Sequence, residues 1–278
     1  MPKNHQVDLF TEPYEDLSIQ GVEYIPLNTN DTGVPGVTRQ RFQIDTRDLD
    51  SYQNYARSYL KVKCRIDADA AGTALTAAQE AVLQNNGWSL FSKATLQINN
   101  TTIEEVENPG LASSMRAYIE WSKDYHNSHG SNGGFYIDTA AASGVANNSG
   151  FAVRHSLSTT SNSFCMMLPL AWVFGWAHDV DKVTKGLKFS LILNKASAGN
   201  AIHQIAACPN TTEVYIQDMK LFVPIYKPSL EVVASIENKL AQGYVQKCNY
   251  QSMNCYRSPT FQEATPTYRV STNISTPV

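Results

Sequence analysis

The chain of 278 residues lacks the short motifs by which most enzymes and metal proteins are recognised. It has no Cys-x-x-Cys pair, no His-x-His pair, no Gly-x-Ser-x-Gly elbow and no Gly-Lys-Ser/Thr phosphate loop. These arrangements are typical of thiol redox proteins, cupin-type metal sites, serine hydrolases and nucleotide-binding proteins respectively. We therefore expect a protein that is not an enzyme, with no catalytic, cofactor-binding or metal-binding residues and no cofactor.

Long apolar runs and clusters of basic residues are also missing. No window approaches the roughly 20 apolar residues that span a bilayer, and the polar start at residues 1–6 lacks the apolar region of a signal peptide. The 22 Lys and Arg residues are scattered, and the net charge is −3. We expect a soluble protein made inside a cell, without a membrane span and without direct sequence-specific contact to nucleic acid.

Cysteine is present in an odd number, and its positions are far apart. This usage favours reduced thiols in an intracellular compartment over a disulfide framework. The five residues are Cys64, Cys165, Cys208, Cys248 and Cys255.

Three groups of polar residues are the candidates for chemistry, and each has a simpler interpretation. Asp124, His126 and His129 could ligate a metal, but two histidines in a Gly/Ser/Asn-rich segment without a further spaced ligand are more typical of a solvated surface. The carboxylates of Asp179 and Asp181 stand beside His178, and we interpret that segment as a solvated loop. The serine and histidine in the sequence Arg154-His-Ser156 lack the strained elbow that nucleophilic catalysis needs.

Short alternating segments dominate what is present, and they predict β-strands. The eight strand candidates are 40–46, 59–66, 93–99, 101–106, 151–157, 163–168, 188–193 and 214–223. The pair Asn99-Asn100 predicts a hairpin turn, and a slip of phase at Asp218 predicts a β-bulge. One buried face per strand places these residues inward: Leu60, Val62, Cys64, Ile66, Leu96, Ile98, Phe189, Leu191, Leu193, Leu221 and Val223.

Helices are predicted between the strands. A capping box at Thr76 and Gln79 predicts a helix over 77–84, and Asn108 before Pro109 is a candidate N-cap for a second helix. The apolar residues of this second helix fall on one face: Leu111, Met115, Tyr118 and Ile119, with Ser122 beside them. The polar stretch 123–162 is predicted to be a long loop.

Eight strands suffice for one jelly roll, and the sequence continues beyond them. A helix over 229–242 is predicted from a stripe of four apolar residues with Gly243 as its stop, and strand character resumes at 248–256 and 267–274. The prediction is an all-β antiparallel jelly-roll sandwich with short inserted helices. Its parts are an extended N-terminal arm (1–37), a first roll (38–226), a linker helix (227–244) and the opening of a second, incomplete roll (245–278). The stripe that we expect to pack between the rolls is Leu230, Val233, Ile236 and Leu240.

Several segments, in a fixed order, carry a resemblance to a known family. They are Trp88-Ser-Leu-Phe-Ser-Lys-Ala-Thr-Leu-Gln-Ile-Asn99, Leu168-Pro-Leu-Ala-Trp-Val-Phe-Gly-Trp176, Lys188-Phe-Ser-Leu-Ile-Leu-Asn194, Tyr215-Ile-Gln-Asp-Met-Lys-Leu-Phe-Val-Pro224 and Asn254-Cys-Tyr-Arg-Ser-Pro259. Over roughly residues 40–278 the chain resembles the double jelly-roll major capsid proteins of Polinton-like viruses, adintoviruses and virophages.

The resemblance implies a structural subunit of an icosahedral DNA-virus shell. In that family two rolls stand upright in the shell, and three copies form a pseudo-hexameric capsomer. The implied partners are further copies of the chain in a homotrimer and in neighbouring capsomers, together with penton and minor capsid proteins, and the implied location is the virion. We expect the residues Trp172, Phe174 and Trp176 to fill the sandwich core.

Two other classes of jelly roll remain as alternatives. A single-roll ligand- or carbohydrate-binding module is usually secreted, with disulfides or an acidic calcium loop. A cupin-like enzyme needs the His-x-His pair that this sequence lacks.

Overall fold

The structure is a computed structural model that describes residues 18–29, 38–45, 51–140, 144–160, 163–205, 208–253 and 255. In this part of the chain the strands are β1 (Ile19–Leu27), β2 (Arg39–Asp45), β3 (Tyr52–Gln53), β4 (Tyr59–Asp67), β5 (Ala81–Leu83), β6 (Phe91–Ile98), β7 (Thr101–Glu107), β8 (Phe164–Pro169), β9 (Lys188–Lys195), β10 (Ile202–Gln204) and β11 (Glu213–Pro228). The α-helices are α1 (Pro109–Glu120), α2 (Lys123–Tyr125), α3 (Ser149–Thr160), α4 (Gly175–Asp179), α5 (Ala198–Ala201) and α6 (Leu230–Ala241).

Two antiparallel sheets form the sandwich. The first sheet has the order β1-β11-β4-β8, with β3 beside β11, and the second sheet has the order β2-β9-β6-β7. A short ladder of β5 and β10 lies apart from both. Except for the hairpin of β6 and β7, the neighbouring strands come from distant parts of the sequence. All of the pairs are antiparallel, which agrees with the predicted fold class.

The core lies between the two sheets, and strand alternation fills it. In β4 the side chains of Leu60, Val62 and Cys64 are buried, whereas Lys61 and Lys63 between them are exposed. Of the residues predicted to point inward, all are buried except Ile98, which is half-buried and packs against the same core. Burial of a Leu or Val side chain contributes about 1.5–3 kcal/mol, so this alternation is a main source of sandwich stability.

Both predicted irregularities of the strands are confirmed. The register between β4 and β11 shifts between Ile216 and Asp218, which is the β-bulge that the phase slip indicated. Asn99 and Asn100 turn the hairpin from β6 to β7 with φ angles of 51° and 65°. Asparagine adopts this left-handed conformation more readily than most residues, and this explains the pair.

The helix predicted over 77–84 is wrong. The amide of Thr76 donates to Oε1 of Gln79, and the amide of Gln79 donates to the carbonyl of Thr76, at 3.0 and 2.9 Å. These reciprocal bonds close a single turn, and the chain then enters β5, whose three side chains are buried. Pairing with β10 and burial of the strand outweigh the local capping signal.

The strand predicted over 151–157 is also wrong, because these residues belong to α3. Oδ1 of Asn148 accepts hydrogen bonds from the amides of Gly150 and Phe151 at 3.1 and 3.3 Å, which caps the start of the helix. With α2 and a π-helical turn at His126–Gly130, α3 makes most of the stretch 123–160 helical where a long loop was predicted.

Part of the predicted N-terminal arm belongs to the sandwich. Residues 19–27 form β1, which pairs with β11 over its whole length and lies at the edge of the first sheet. Residues 1–17 and 30–37 of the predicted arm lie outside the described residues.

Helix α1 presents its large apolar residues outward. Its small residues Gly110, Ala112, Ser113 and Ala117 are buried, whereas Ile119 is 85% exposed. A Cβ atom on Gly110 would lie 2.6 Å from the main chain of Ser89, so only glycine permits this approach. The predicted cap is absent, because Asn108 has a φ of 49° and its side chain makes no capping hydrogen bond.

Candidate assembly surfaces and the joint after the last helix

The four residues predicted to pack between rolls lie on α6, at the surface of the described structure. Leu230 and Leu240 are 82% and 61% exposed, Val233 and Ile236 are half-buried, and α6 has no buried residue. The structure therefore does not place this stripe against the sandwich of the same chain.

The helix ends where the sequence predicted. Gly243 has a φ of 83°, its amide donates to the carbonyl of Leu240, and the amide of Tyr244 donates to the carbonyl of Lys239. This pair of bonds is the Schellman motif, which glycine favours because it has no Cβ atom to clash in the left-handed conformation. The chain is thus turned away from the helix axis at a defined residue.

Beyond α6 the chain returns to the sandwich at a place that we call the joint. We define the joint as residues 250–253 and 255 together with Ile103 and Glu104 of β7 and with α4. Tyr250 donates its hydroxyl hydrogen to the carbonyl of Ile103 at 3.2 Å, and the amide of Met253 donates to Oε1 of Glu104 at 3.3 Å. Tyr250 and Cys255 also pack against the hydrophobic core.

The strand predicted over 248–256 is not formed in the described residues 248–253. A strand needs the backbone groups of a neighbouring strand, but here two amides are taken by side-chain carboxylates. The amide of Gln251 donates to Oδ2 of Asp179 at 2.8 Å, and the amide of Met253 bonds to Glu104. These contacts hold the segment against β7 and α4 without regular secondary structure.

Glu104 is the buried centre of the joint. Its side chain is directed inward from β7, in phase with Val106, and only 3% of the residue is exposed. The two carboxylate oxygens accept hydrogen bonds from the amides of Gly175 and Trp176 at 3.0 and 3.1 Å. Burial raises the pKa of Glu104 above its usual value, while the amide bonds oppose that shift.

Gly175 lies where the segment crosses α4. A Cβ atom at this position would lie 1.6 Å from the carbonyl oxygen of Gln251, so no larger residue fits unless the segment moves. The main-chain atoms of α4 and of residue 251 approach each other so closely that only glycine fits at position 175.

The residues from His178 to Asp181 were predicted to be a solvated loop, and the structure gives them structural contacts. His178 Nδ1 lies 2.6 Å from Oδ1 of Asp179, and this bond, followed by the bond from the amide of Gln251, lowers the pKa of Asp179. Oδ1 of Asp181 accepts from Asn54 at 2.6 Å. The side chains are partly exposed, but Asp179 connects α4 to Gln251, and Asp181 connects the residues after α4 to Asn54.

The prediction that Asp124, His126 and His129 are all solvated is wrong for His126. This residue is buried against Trp121 and Phe135, and its Nδ1 lies 2.9 Å from the carbonyl of Ser122. The π-helical turn directs its ring inward, which a loop assignment could not anticipate. Across the described residues no three His, Cys, Asp or Glu side chains come together as a metal site.

The aromatic residues of the segment 168–176 fill the core as predicted. Trp172, Phe174 and Trp176 are buried, and Nε1 of Trp172 donates to the hydroxyl of Tyr125 at 3.1 Å. A buried indole with its N–H satisfied in this way supports packing rather than ligand stacking. His155, the other candidate for chemistry, is buried within α3.

Exposed apolar side chains define two further surfaces. On α1 they are Leu111, Met115, Tyr118 and Ile119. On the outer side of the first sheet Val22 and Tyr24 of β1 are exposed, and the Tyr24 ring lies 5.7 Å from that of Tyr59, which stacks on Phe222. Contiguous apolar patches of this kind typically mark sites of protein association.

Comparison with known proteins identifies the architecture. No family model and no curated protein matches the sequence. Among solved structures, a chain of the cryo-EM structure of the Sputnik virophage is similar, with a TM-score of 0.52 and 12% identity over 81% of this chain and 51% of that chain. The Faustovirus major capsid protein matches with a TM-score of 0.47, 10% identity and coverage of 84% and 58%. The mavirus major capsid protein matches with a TM-score of 0.41, 13% identity and coverage of 84% and 51%.

The sandwich is an antiparallel jelly roll, the fold of the Sputnik chain that it matches. The Sputnik match, with a TM-score above 0.5, carries this assignment of the fold. The chain spans about half the length of the structures that it matches. None of the helices in the described part of this jelly roll has the length and apolar character needed to cross a membrane.

Proposed function

We propose that this chain is a structural subunit of a viral capsid, without enzymatic activity, and that it resides in the virion. The observation that carries the proposal is the jelly-roll match to the Sputnik virophage chain, which extends over 81% of the residues. The sequence motifs around Trp172 and Phe222 support the same family independently of the coordinates, and both residues lie in the sandwich.

Self-assembly is the mechanism that we propose. The exposed apolar residues of α1 and of β1 are surfaces that further copies of the chain would cover, and many modest contacts suffice in a repeating shell through multivalency. We propose a homotrimeric, pseudo-hexameric capsomer within an icosahedral shell, with penton and minor capsid proteins as additional partners.

A second roll is part of the proposal. In it, β1 and residues 38–226 are the first roll, 227–244 the linker and 245–278 the start of the second roll. The coverage of about half of the matched chains supports this division. The exposed stripe on α6 would then pack between the rolls, with Leu230, Val233, Ile236 and Leu240 at the contact.

Size measurement on the purified chain tests the proposal. Light scattering after size exclusion and negative-stain electron microscopy should show trimers or larger assemblies, and Ile119→Ser should shift the distribution towards monomers. Lys61→Ser, at an exposed position that we do not assign to a contact, is the matched control. A strictly monomeric protein that is retained by a carbohydrate array would instead favour the single-roll binding module.

A further inference from the structure

The joint contains a buried acceptor that serves both the sandwich and the chain beyond α6. Glu104 binds the amides of Gly175 and Trp176, which belong to the sandwich, and also the amide of Met253, which follows the helix. A carboxylate has about four acceptor sites, so the third bond does not displace the first two. The side chain thus contacts both partners at once.

We propose that Glu104 is the positioning residue that fixes the chain leaving α6 onto the outer edge of β7. The polypeptide after residue 253 then starts from a set point on the sandwich. The identity of this continuation as a second roll rests on the proposed function. The contacts that fix residues 250–253 are independent of it.

Burial is the reason to assign the role to Glu104 rather than to its neighbours. The side chain of Asp179 is 31% exposed, so water competes for the bond to the amide of Gln251. The Tyr250 bond joins two neutral groups. Hydrogen bonds to a carboxylate shielded from water are the stronger kind, and Glu104 is the only one of these three acceptors that combines charge with near-complete burial.

The residues between the sandwich and the joint are weakly constrained, so the joint is needed to fix the position of the chain. Residues 244–249 are all exposed, and α6 buries none of its side chains in the described structure. The path from Pro228 to Tyr250 therefore gains little constraint from packing. The contacts at residues 250–253 are where the chain regains a defined position.

The joint also contacts the second sheet directly. β7 is the last strand of this sheet in the described part of the chain, and the carbonyl of Ile103 accepts the hydroxyl hydrogen of Tyr250. The segment is thus bonded to the main chain of β7 as well as to Glu104.

Hydrogen exchange of the full 278-residue chain tests the proposal with Glu104→Gln. The amide side chain offers one acceptor oxygen in place of two and points an N–H group at a backbone N–H. We expect exchange at residues 251 and 253 to accelerate by about tenfold or more, as loss of a charge-assisted hydrogen bond implies, with β4 and β9 unchanged. Glu105→Gln is the matched control, because Glu105 is the next residue of β7 but points outward to Lys93.

A second variant removes the bond from the other side. Met253→Pro deletes the donating N–H and leaves every residue of the sandwich intact, so it applies even if Glu104→Gln unfolds the roll. We expect faster exchange at residue 251 in this variant as well. Wild-type exchange at 251 in Met253→Pro, or at 251 and 253 in a folded Glu104→Gln protein, would overturn the proposal.

The hydrogen-exchange result for Glu104 and the oligomeric state test two different proposals, and either one can fail without the other. Accelerated exchange in a chain that remains monomeric would support the role of Glu104 while rejecting assembly. Unaltered exchange in a chain that forms trimers would do the reverse.

Discussion

The sandwich and the segment after it use the same apolar residue types with opposite results. In β9 the side chains of Leu191 and Leu193 are completely buried, whereas in α6 Leu230 and Leu240 are mostly exposed. Both patterns are periodic, and both produce the predicted secondary structure. The difference shows that periodicity determines which face is apolar, while burial requires a partner surface that the described chain supplies to β9 and not to α6.

Core truncation should separate the two regions most strongly. We expect Leu191→Ala to lower the free energy of unfolding by about 2–5 kcal/mol, because it leaves a cavity between the sheets. Leu240→Ala should change the unfolding free energy of the same chain by less than about 0.5 kcal/mol, because the side chain is largely solvated. Urea unfolding measures both, and equal losses would show that α6 is buried in solution.

A smaller loss is expected where a helix touches the sandwich closely. Gly110→Val adds atoms against the main chain of Ser89 and should destabilise the protein by about 1–3 kcal/mol. Gly199→Ala is the control, because a Cβ atom there meets nothing within 4 Å. In thermal unfolding, we expect the midpoint temperature to fall for Gly110→Val and to stay unchanged for Gly199→Ala.

The cap of α3 should contribute less again. Asn148→Ala removes the acceptor for the amides of Gly150 and Phe151, and we expect a loss of about 0.5–2 kcal/mol. Asn147→Ala, one residue earlier, provides the comparison. Equal unfolding midpoints for the two variants would argue against the cap.

The two carboxylates of the joint should respond to pH in opposite directions, with the smallest effects. The pKa of Glu104 is raised, so its contribution to stability is complete below the unfolded pKa and is lost as pH rises through the folded pKa. The pKa of Asp179 is lowered, so its contribution is present above the unfolded pKa and is lost as pH falls through the folded pKa. The test is the unfolding free energy of each variant relative to wild type, measured from pH 3 to 8. Glu104→Gln should differ most from wild type at the acid end of this range, and Asp179→Asn at the alkaline end. Parallel curves would contradict this assignment.

Sequence patterns predicted the sandwich better than its insertions, for a physical reason. Alternation in β4, the turn at Asn99 and the bulge before Asp218 are local consequences of the pleat and the backbone. The segments 77–84 and 151–157 were assigned to the wrong class, because pairing with β10 and the cap at Asn148 decided them. Both β10 and Asn148 lie outside the two sequence segments from which the predictions were made.

The joint was the least predictable feature. Glu104 gave one available signal, an acidic residue in the inward phase of β7 opposite Leu96, where an apolar side chain would be usual. Its partners Gly175 and Met253 are distant in sequence, so no spacing rule connects them. The stripe on α6 was found from periodicity, but its contact with a second roll stays a prediction.

The pairing of β1 with β11 has a consequence for synthesis. Ile25 lies opposite Val223, about 200 residues later in the chain, so the first sheet cannot close until β11 has left the ribosome. At roughly 5–20 residues per second, β1 waits about 10–40 s without its partner. During that time the nascent chain carries an unpaired, partly apolar strand, at high local concentration when several ribosomes read one message. The order of strands therefore delays any surface that contains both β1 and β11 until residue 228 has been synthesised.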